Sequence, residues 1–163
     1  MPGPTTATDV YVRPLRRSEI QAIADAIVEM PAAQFENRWR EQEMGFRELL
    51  VAERDGNLVG TVSIGETETP PRSLHLFALE VAPPLRSQGI GRAIIEHVLA
   101  EARRRGRSRV YLEVRIDNPA RRLYHRIGFR RVGRTFLNAW WLFMDDGSQE
   151  RIEETAVRMV KRV

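Results

Sequence analysis

A short segment with two glycines is the first place where residue types and spacing point to chemistry. Residues Arg86–Gly91 have the sequence RSQGIG and lie between a predicted strand and a long predicted helix. Glycine lets a ligand approach the backbone closely. Free amide groups at a helix N-terminus, together with the helix dipole, favour binding of phosphate. The segment therefore predicts an anion site, but not a dinucleotide site, because Ile94 stands where that fingerprint needs a further glycine.

A second segment begins 27 residues after Gly91 and surrounds a short predicted helix. Asn118 precedes Pro119, a pair typical of a helix start, and Gly128 is a stop signal. Tyr124, inside this helix, carries a phenol that can donate a proton. From residue type alone, Asn118 can equally be explained as a plain helix cap without a role in chemistry. Tyr124 can likewise be explained as an aromatic residue of the core.

Together the two segments resemble the signatures of the GNAT superfamily of N-acyltransferases. Residues 79–91 are similar to its acetyl-CoA signature, a strand followed by R/Q-x-x-G-x-G/A. Residues 114–129 are similar to its other signature, N-x-x-A-x-x-L-Y-x-x-x-G-F after a strand. The resemblance covers residues 9–146 by element order and is specific over residues 74–129. It implies transfer of an acetyl group from acetyl-CoA to a primary amine.

The resemblance also implies roles for particular residues. In such enzymes the strand ending at Val81 separates from its neighbour, and the pantetheine arm pairs with the backbone near Leu79 and Val81. Tyr124 matches the general acid that contacts the cofactor and protonates its departing thiolate. Asn118 matches the residue that contacts the arm or organises its loop, and Arg121 or Arg122 would reach the 3′-phosphate. The pyrophosphate would bind to the backbone of Arg86, Ser87, Gln88, Gly89, Ile90, Gly91 and Arg92.

The group that takes a proton from the acceptor amine is left open by the sequence. His75, Glu80 and Glu113 are the candidates, together with a route through water alone. Strict alternation puts His75 and Glu80 on opposite faces of the strand, although a bulge would change that parity. Residues 72–79 are similar to a strand of arylalkylamine N-acetyltransferases that carries two relay histidines. His75 matches the first histidine, but Phe77 replaces the second, which argues against a complete relay.

Hydrophobic periodicity predicts the elements that must position these residues. The resemblance implies that they form one GNAT-like α/β (α+β) domain over residues 1–163, with a mixed, splayed sheet of six to seven strands flanked by helices. Residues 1–8 are expected to be flexible and residues 147–163 to form a C-terminal helical tail. Strands are predicted over residues 10–14, 49–53, 58–65, 73–81, 109–114, 129–135 and 137–144, and helices over residues 18–31, 32–46, 89–105 and 119–126.

Composition narrows the class of protein further. The chain has 163 residues, of which 42% are apolar and 29% are charged, as in a folded globular protein. It contains no Cys, which excludes disulfides, thiolate metal sites and a cysteine nucleophile. His97 and His125 have no partner at metal-ligand spacing, so no metal is expected. The sequence shows no signal or membrane segment, so a cytoplasmic location is expected.

The charge is divided unevenly along the chain. Residues 1–82 contain 8 basic and 13 acidic side chains, whereas residues 83–163 contain 18 and 9. A basic half predicts an anionic ligand, and a nucleic-acid-binding module built on Arg103–Arg105 and nearby arginines is the competing hypothesis. The resemblance favours the phosphates of coenzyme A, so nucleic acid is not expected. The acceptor can be a small molecule, a protein N-terminus or a lysine, and a homodimer and an acyl-CoA sensor without turnover are further alternatives.

Overall fold

Seven strands form one mixed sheet in a computed structural model that describes residues 9–67 and 72–163. The strand order is β1-β2-β3-β4-β5-β7-β6. The segment predicted to be flexible, residues 1–8, lies outside the described residues. The strands are β1 (Tyr11–Pro14), β2 (Glu48–Arg54), β3 (Asn57–Thr67), β4 (Ser73–Val81), β5 (Arg109–Arg115), β6 (Arg130–Phe143) and β7 (Gln149–Arg162), and the helices are α1 (Ile20–Ala26), α2 (Ala32–Glu43), α3 (Ile90–Arg104) and α4 (Arg121–Ile127).

The first four strands form an antiparallel meander. β2 and β3 form a hairpin, as the Asp-Gly pair between the strands predicted over residues 49–53 and 58–65 indicates. Its turn residues Asp55 and Gly56 have φ values of +53° and +79°, and a two-residue turn with both φ values positive matches the twist of the strands it joins. The predicted strand over residues 73–81 and the following helix are also present, the helix as α3.

Helices cover both faces of the meander. Leu50 and Ala52 of β2 belong to the apolar core around α3, which is amphipathic and buries its residues at helical spacing. Leu49 and Val51 point to the other face and join the core around α1 and α2. Because both faces of β2 are buried, its four central residues are all apolar. None of the described helices combines the length and apolar character that crossing a bilayer requires.

The C-terminal tail is a strand, so the prediction of a helical tail over residues 147–163 is wrong. β7 lies between β5 and β6 and pairs antiparallel with both. Its β-branched residues suit a strand paired on both edges, and Ala156, Val157 and Met159 are buried there. The charged residues of this segment are spaced as on one face of a helix, which explains the prediction. However, the open edges of β5 and β6 offer backbone hydrogen bonds that a strand can make and a helix cannot.

Candidate active site

A bulge in β4 decides which side chains share a face of the sheet. Thr61 of β3 pairs with Glu80 of β4, and two residues further along β3, Ser63 pairs with Phe77. Three steps on β4 therefore match two steps on β3, and the extra residue, Ala78, has a φ value of +51°. Because Thr61 and Ser63 face the same side, Phe77 and Glu80 do so as well. Because of the bulge, Glu80 lies on the same face as Phe77 and His75, whereas strict alternation would place it on the opposite face.

β4 separates from β5 after His75, before the bulge begins. The two strands pair in parallel only where Ser73, Leu74 and His75 meet residues 109–111. β5 remains paired with β7 as far as Arg115, so it is the edge facing β4 that opens. The backbone of β4 between Phe77 and Val81 therefore borders a gap, as the resemblance implies.

The loop after β4 exposes backbone amides at the start of α3. Ser87 and Gly89 have φ values of +65° and +84°, which turn the chain sharply into the helix. The Gly89 carbonyl accepts the first helical hydrogen bond, from the Ala93 N–H at 3.0 Å. The amides of residues 90–92 belong to the first turn, where the helix supplies no carbonyl for them. This geometry fits a phosphate group, since the donors and the helix dipole point in one direction.

Arginine side chains near this loop are occupied by other partners. Arg86 pairs with Glu29, and Arg92 donates to Glu96 at 3.1 Å. The guanidinium of Arg121 donates to the carbonyl of Ile116 at 2.6 Å. Each of these guanidinium groups donates to a neighbouring group through one of its nitrogens, whereas the amides at the start of α3 have no helical partner.

The basic run after α3 is compensated locally. Arg104 and Arg105 pair with Glu101, and Arg105 also pairs with Glu48 at 2.7 Å and with Glu66 at 3.1 Å. Arg107 likewise pairs with Glu66. Three of the arginines that raised the nucleic-acid hypothesis, Arg104, Arg105 and Arg107, are therefore neutralised by carboxylates on α3, β2 and β3.

The second sequence motif builds α4. The Asn118 side-chain oxygen accepts the Ala120 N–H at 2.9 Å, which stabilises the turn before the helix. Tyr124 is only 6% exposed and meets Phe129 edge-on, with 6.0 Å between ring centroids. Burial raises the pKa of Tyr124 to about 12. It belongs to the apolar cluster against which Leu79 and Val81 pack, so α4 is joined to the open end of β4.

A cavity of about 740 Å³ lies between α2 and the face of the sheet that carries His75, Phe77 and Glu80. Phe46, Phe77 and Trp140 contribute aromatic surface to its lining. Four carboxylates also line it, one on α2 and three on the sheet. They are Glu41, Glu80, Glu113 and Glu154.

Three of these four carboxylates are neutralised by guanidinium groups. Two of the arginines, Arg38 and Arg47, line the cavity as well. Glu154, by contrast, forms no ion pair with any residue in the ranges 9–67 and 72–163. The three pairs are Glu41 with Arg47 at 2.7 Å, Glu80 with Arg38 at 2.5 Å, and Glu113 with Arg158 at 2.9 Å.

The Arg38–Glu80 pair is the most enclosed of the three, with side chains 4% and 15% exposed. Arg38 also places its guanidinium 4.9 Å from the centre of the Phe35 ring. Only Oε1 of Glu80 is used by Arg38, and Oε2 is buried without a hydrogen-bond partner in the described part of the chain. A buried carboxylate oxygen whose lone pairs accept no hydrogen bond is a strong acceptor for an incoming N–H group.

His75 is held between two aromatic rings. Its imidazole stacks on Phe77 at 4.6 Å and on Tyr111 at 4.4 Å between centroids. Burial lowers the pKa of His75 to about 4, an effect that Glu113 opposes and that Arg158 and Arg47 reinforce. At neutral pH the imidazole is therefore uncharged, and it accepts a proton only weakly.

Sequence reasoning missed Arg38, Arg158 and Glu154. A signal existed for Arg38, because it follows the buried residues Gln34 and Phe35 of α2 at helical spacing and so lies on the buried face. Arg158 and Glu154 gave no such signal, since the contact of Arg158 with Glu113 and the place of Glu154 in the cavity lining depend on β7 pairing with β5 and β6. No group of three or more His, Asp or Glu residues suited to a metal ion occurs among the described residues.

Comparison with known proteins agrees with this geometry. The profile of the Acetyltransferase (GNAT) family matches residues 16–129, which is more than half of the chain. The chain belongs to the GNAT acetyltransferase family. Members of this family use acetyl-CoA as a co-substrate.

The relatives differ in how much of the chain they share. Human N-acetyltransferase 8B is 36% identical over 99 residues, covering 58% of this chain and 44% of that protein. N-alpha-acetyltransferase RimI of Mycobacterium tuberculosis is 40% identical over 84 residues, covering 50% and 51%. The matched part of the chain thus spans about half, or less, of these curated relatives.

Solved structures share the fold over nearly the whole chain. The ribosomal-protein-S18-alanine N-acetyltransferase from Escherichia coli superposes with a TM-score of 0.70 at 22% identity, covering 94% of both chains. The spermidine/spermine N-acetyltransferase SpeG from Vibrio cholerae has a TM-score of 0.69 at 22% identity, covering 96% of this chain and 94% of its own. The splayed mixed sheet predicted for the GNAT family is therefore confirmed.

Proposed function

We propose that this protein transfers the acetyl group of acetyl-CoA to a primary amine bound in the cavity beneath α2. One observation carries the proposal: the bulge in β4 puts Glu80 on the cavity side, within the part of β4 that has already separated from β5. The gap suited to a thioester arm and the cavity suited to an amine therefore meet at the same residues. Membership of the GNAT family supports acetyl-CoA as the donor.

The residues around the gap fit coenzyme A. The open edge of β4 at Leu79 and Val81 can pair with the amides of the pantetheine arm as an added strand would. The amide groups over residues 87–92 suit the pyrophosphate. Asn118 stabilises the turn that leads into α4, whose Leu123 lies close to Gly91. Arg121 or Arg122 supplies the charge for the 3′-phosphate.

The chemistry needs positioning and polarisation, because a thioester is reactive enough for direct attack by a neutral amine. The amine nitrogen bonds to the carbonyl carbon, and the developing oxyanion takes a hydrogen bond from the backbone near Val81, a type of contact that contributes about 3–4 kcal/mol. The carbon–sulfur bond then breaks. Tyr124 protonates the thiolate, and the second amine proton, released as the amide forms, restores the phenol through water.

Glu80 is the proposed acceptor for the first proton of the ammonium. Its Oε2 is buried, lies beside the cavity and has no donor among the described residues. His75 faces the same cavity, but its lowered pKa makes it a weak base. His75 is therefore assigned to shaping the pocket, through its stacked rings, rather than to holding the proton.

Release of free CoA thiol from acetyl-CoA, measured with a panel of amines and peptides, tests the activity. A panel with alanine-starting peptides separates a protein N-terminus from a small amine, since the RimI relative acts at N-termini by its description. No CoA release with any acceptor, despite acetyl-CoA binding, would contradict the proposal. The ion pairs of Arg104, Arg105 and Arg107 weaken the observation on which a nucleic-acid function depended.

Tyr124→Phe tests the general acid. We expect turnover to fall by about 100-fold or more, the usual contribution of such a group, while the KM for acetyl-CoA changes little. Phe keeps the edge-on contact with Phe129, so the fold is retained. Tyr11→Phe is the matched control, because Tyr11 is 64% exposed on β1. Equal turnover in wild type and Tyr124→Phe would remove Tyr124 from the mechanism.

A further inference from the structure

Three side chains on the β6–β7 hairpin form a second polar feature of the cavity, here called the distal patch: Asn138, Trp140 and Glu154. Asn138 and Glu154 are directly paired across the two strands. Trp140 lies two residues beyond Asn138, on the same face, so it is a diagonal neighbour of Glu154 within reach of an aromatic side chain. All three line the cavity that holds Glu80.

The distal patch carries the unbalanced charge of the cavity. The carboxylates of Glu41, Glu80 and Glu113 each have a guanidinium partner, but Glu154 pairs with no cation in the described ranges. Glu154 is half-buried, so a ligand that reaches it is partly shielded from water. An indole face beside a carboxylate is a combination that binds ammonium groups.

The distal patch lies too far from Glu80 to serve the reacting amine. β5 and β7 follow β4 in the sheet, so two inter-strand steps separate β4 from the strand that carries Glu154. At about 4.8 Å for each step this is roughly 10 Å, and the opening between β4 and β5 adds to it. Glu154 must therefore recognise a group at the other end of the acceptor.

We propose that the distal patch binds a second cationic group of the acceptor, so that the preferred substrate is a small diamine rather than a monoamine. This inference rests on the proposed acetyl transfer. One nitrogen lies beside Oε2 of Glu80 for acetylation, while the other, still an ammonium, donates to Glu154 over the face of Trp140. The aromatic lining of the same cavity, including Phe77, offers apolar surface to the methylene chain.

A pair of acceptors of equal length tests this inference. In the wild-type protein, kcat/KM for acetylation of hexane-1,6-diamine is expected to exceed that of hexylamine by about tenfold, because only the diamine gains the charged contact. Glu154→Gln should abolish this advantage, lowering kcat/KM for the diamine by about tenfold more than kcat/KM for hexylamine. Glu153→Gln is the matched control, since Glu153 is exposed on the same strand and pairs with Arg151.

Equal kcat/KM for the two amines in wild type, or equal losses with both amines in Glu154→Gln, would overturn the inference while leaving acetyl transfer in place. Binding is measured separately by calorimetry with hexane-1,6-diamine, in wild type and in Glu154→Gln. If no amine is acetylated but the diamine still binds about tenfold more weakly to Glu154→Gln, the proposed function fails and the distal patch remains a diamine site. If the diamine binds both proteins equally, the distal patch is refuted whatever the activity.

Discussion

The lowered pKa of His75 makes stability depend on pH in a defined window. The unfolded chain binds a proton at this histidine below about pH 6.5, whereas the folded protein binds it only below about pH 4. Between these values the unfolded state holds the extra proton, so the free energy of unfolding falls as the pH is lowered. The contribution is fully present above pH 6.5 and is lost by about pH 4.

The size of the effect follows from that interval. At about 1.4 kcal/mol for each pKa unit, the difference between 6.5 and about 4 corresponds to about 3 kcal/mol. Phe77 and Tyr111 exclude water from the two ring faces. Arg158 and Arg47 further oppose a positive charge there, and Glu113 offsets part of their effect.

The perturbation is His75→Phe, which keeps a flat ring between Phe77 and Tyr111 but cannot titrate. Urea unfolding at pH 7.5, 6.5, 5.5 and 4.5 gives the free energy of unfolding for wild type and variant. We expect wild type to lose about 2–3 kcal/mol more than His75→Phe between pH 7.5 and pH 4.5. Contributions from other groups are common to both proteins and cancel in the difference.

His125→Phe is the control for loss of a histidine, since His125 is exposed on α4. Its stability should follow the wild-type profile. If the difference between wild type and His75→Phe is the same at every pH, His75 is not kept neutral by the fold, and the argument that favours Glu80 as the base is lost.

Two further predictions concern the packing around Glu80. Gly60→Ala should lower the free energy of unfolding by about 1–3 kcal/mol, because a Cβ there would lie 3.0 Å from the Glu80 carbonyl and 2.9 Å from Ile94. Gly65→Ala, on the same strand, is the control, because a Cβ there would make only ordinary contacts. Equal losses for the two variants in urea unfolding would contradict the prediction. Arg38→Met should lower the free energy of unfolding by about 3–5 kcal/mol, because it leaves the Glu80 carboxylate unpaired. The double variant Arg38→Met/Glu80→Met should recover most of this loss. A double variant as unstable as Arg38→Met alone would contradict the pairing argument.

Local signals were enough to predict most elements of the fold. The Asp55-Gly56 turn, the helix from Ile90 to Arg104 and the stop at Gly128 each depend on a few neighbouring residues, and each is present. Two predictions were wrong: the strands predicted over residues 129–135 and 137–144 form one strand, β6, and the C-terminal tail is a strand rather than a helix. The strand of the tail is selected by the open edges of β5 and β6, which are far away in sequence.

The candidate site likewise combines features that short sequence segments determine with features that only the tertiary structure determines. The sequence by itself determined the shape of the Arg86–Gly91 loop and of the Asn118–Tyr124 motif, because helix starts, positive φ values and helix stops are properties of short segments. Only the tertiary structure decided which carboxylates face the cavity. Glu80 is turned inward by a bulge measured against β3, its partner Arg38 comes from α2, and Glu154 remains unpaired because no described cation from another element reaches it. These facts are relations between distant segments, and a linear pattern does not encode them.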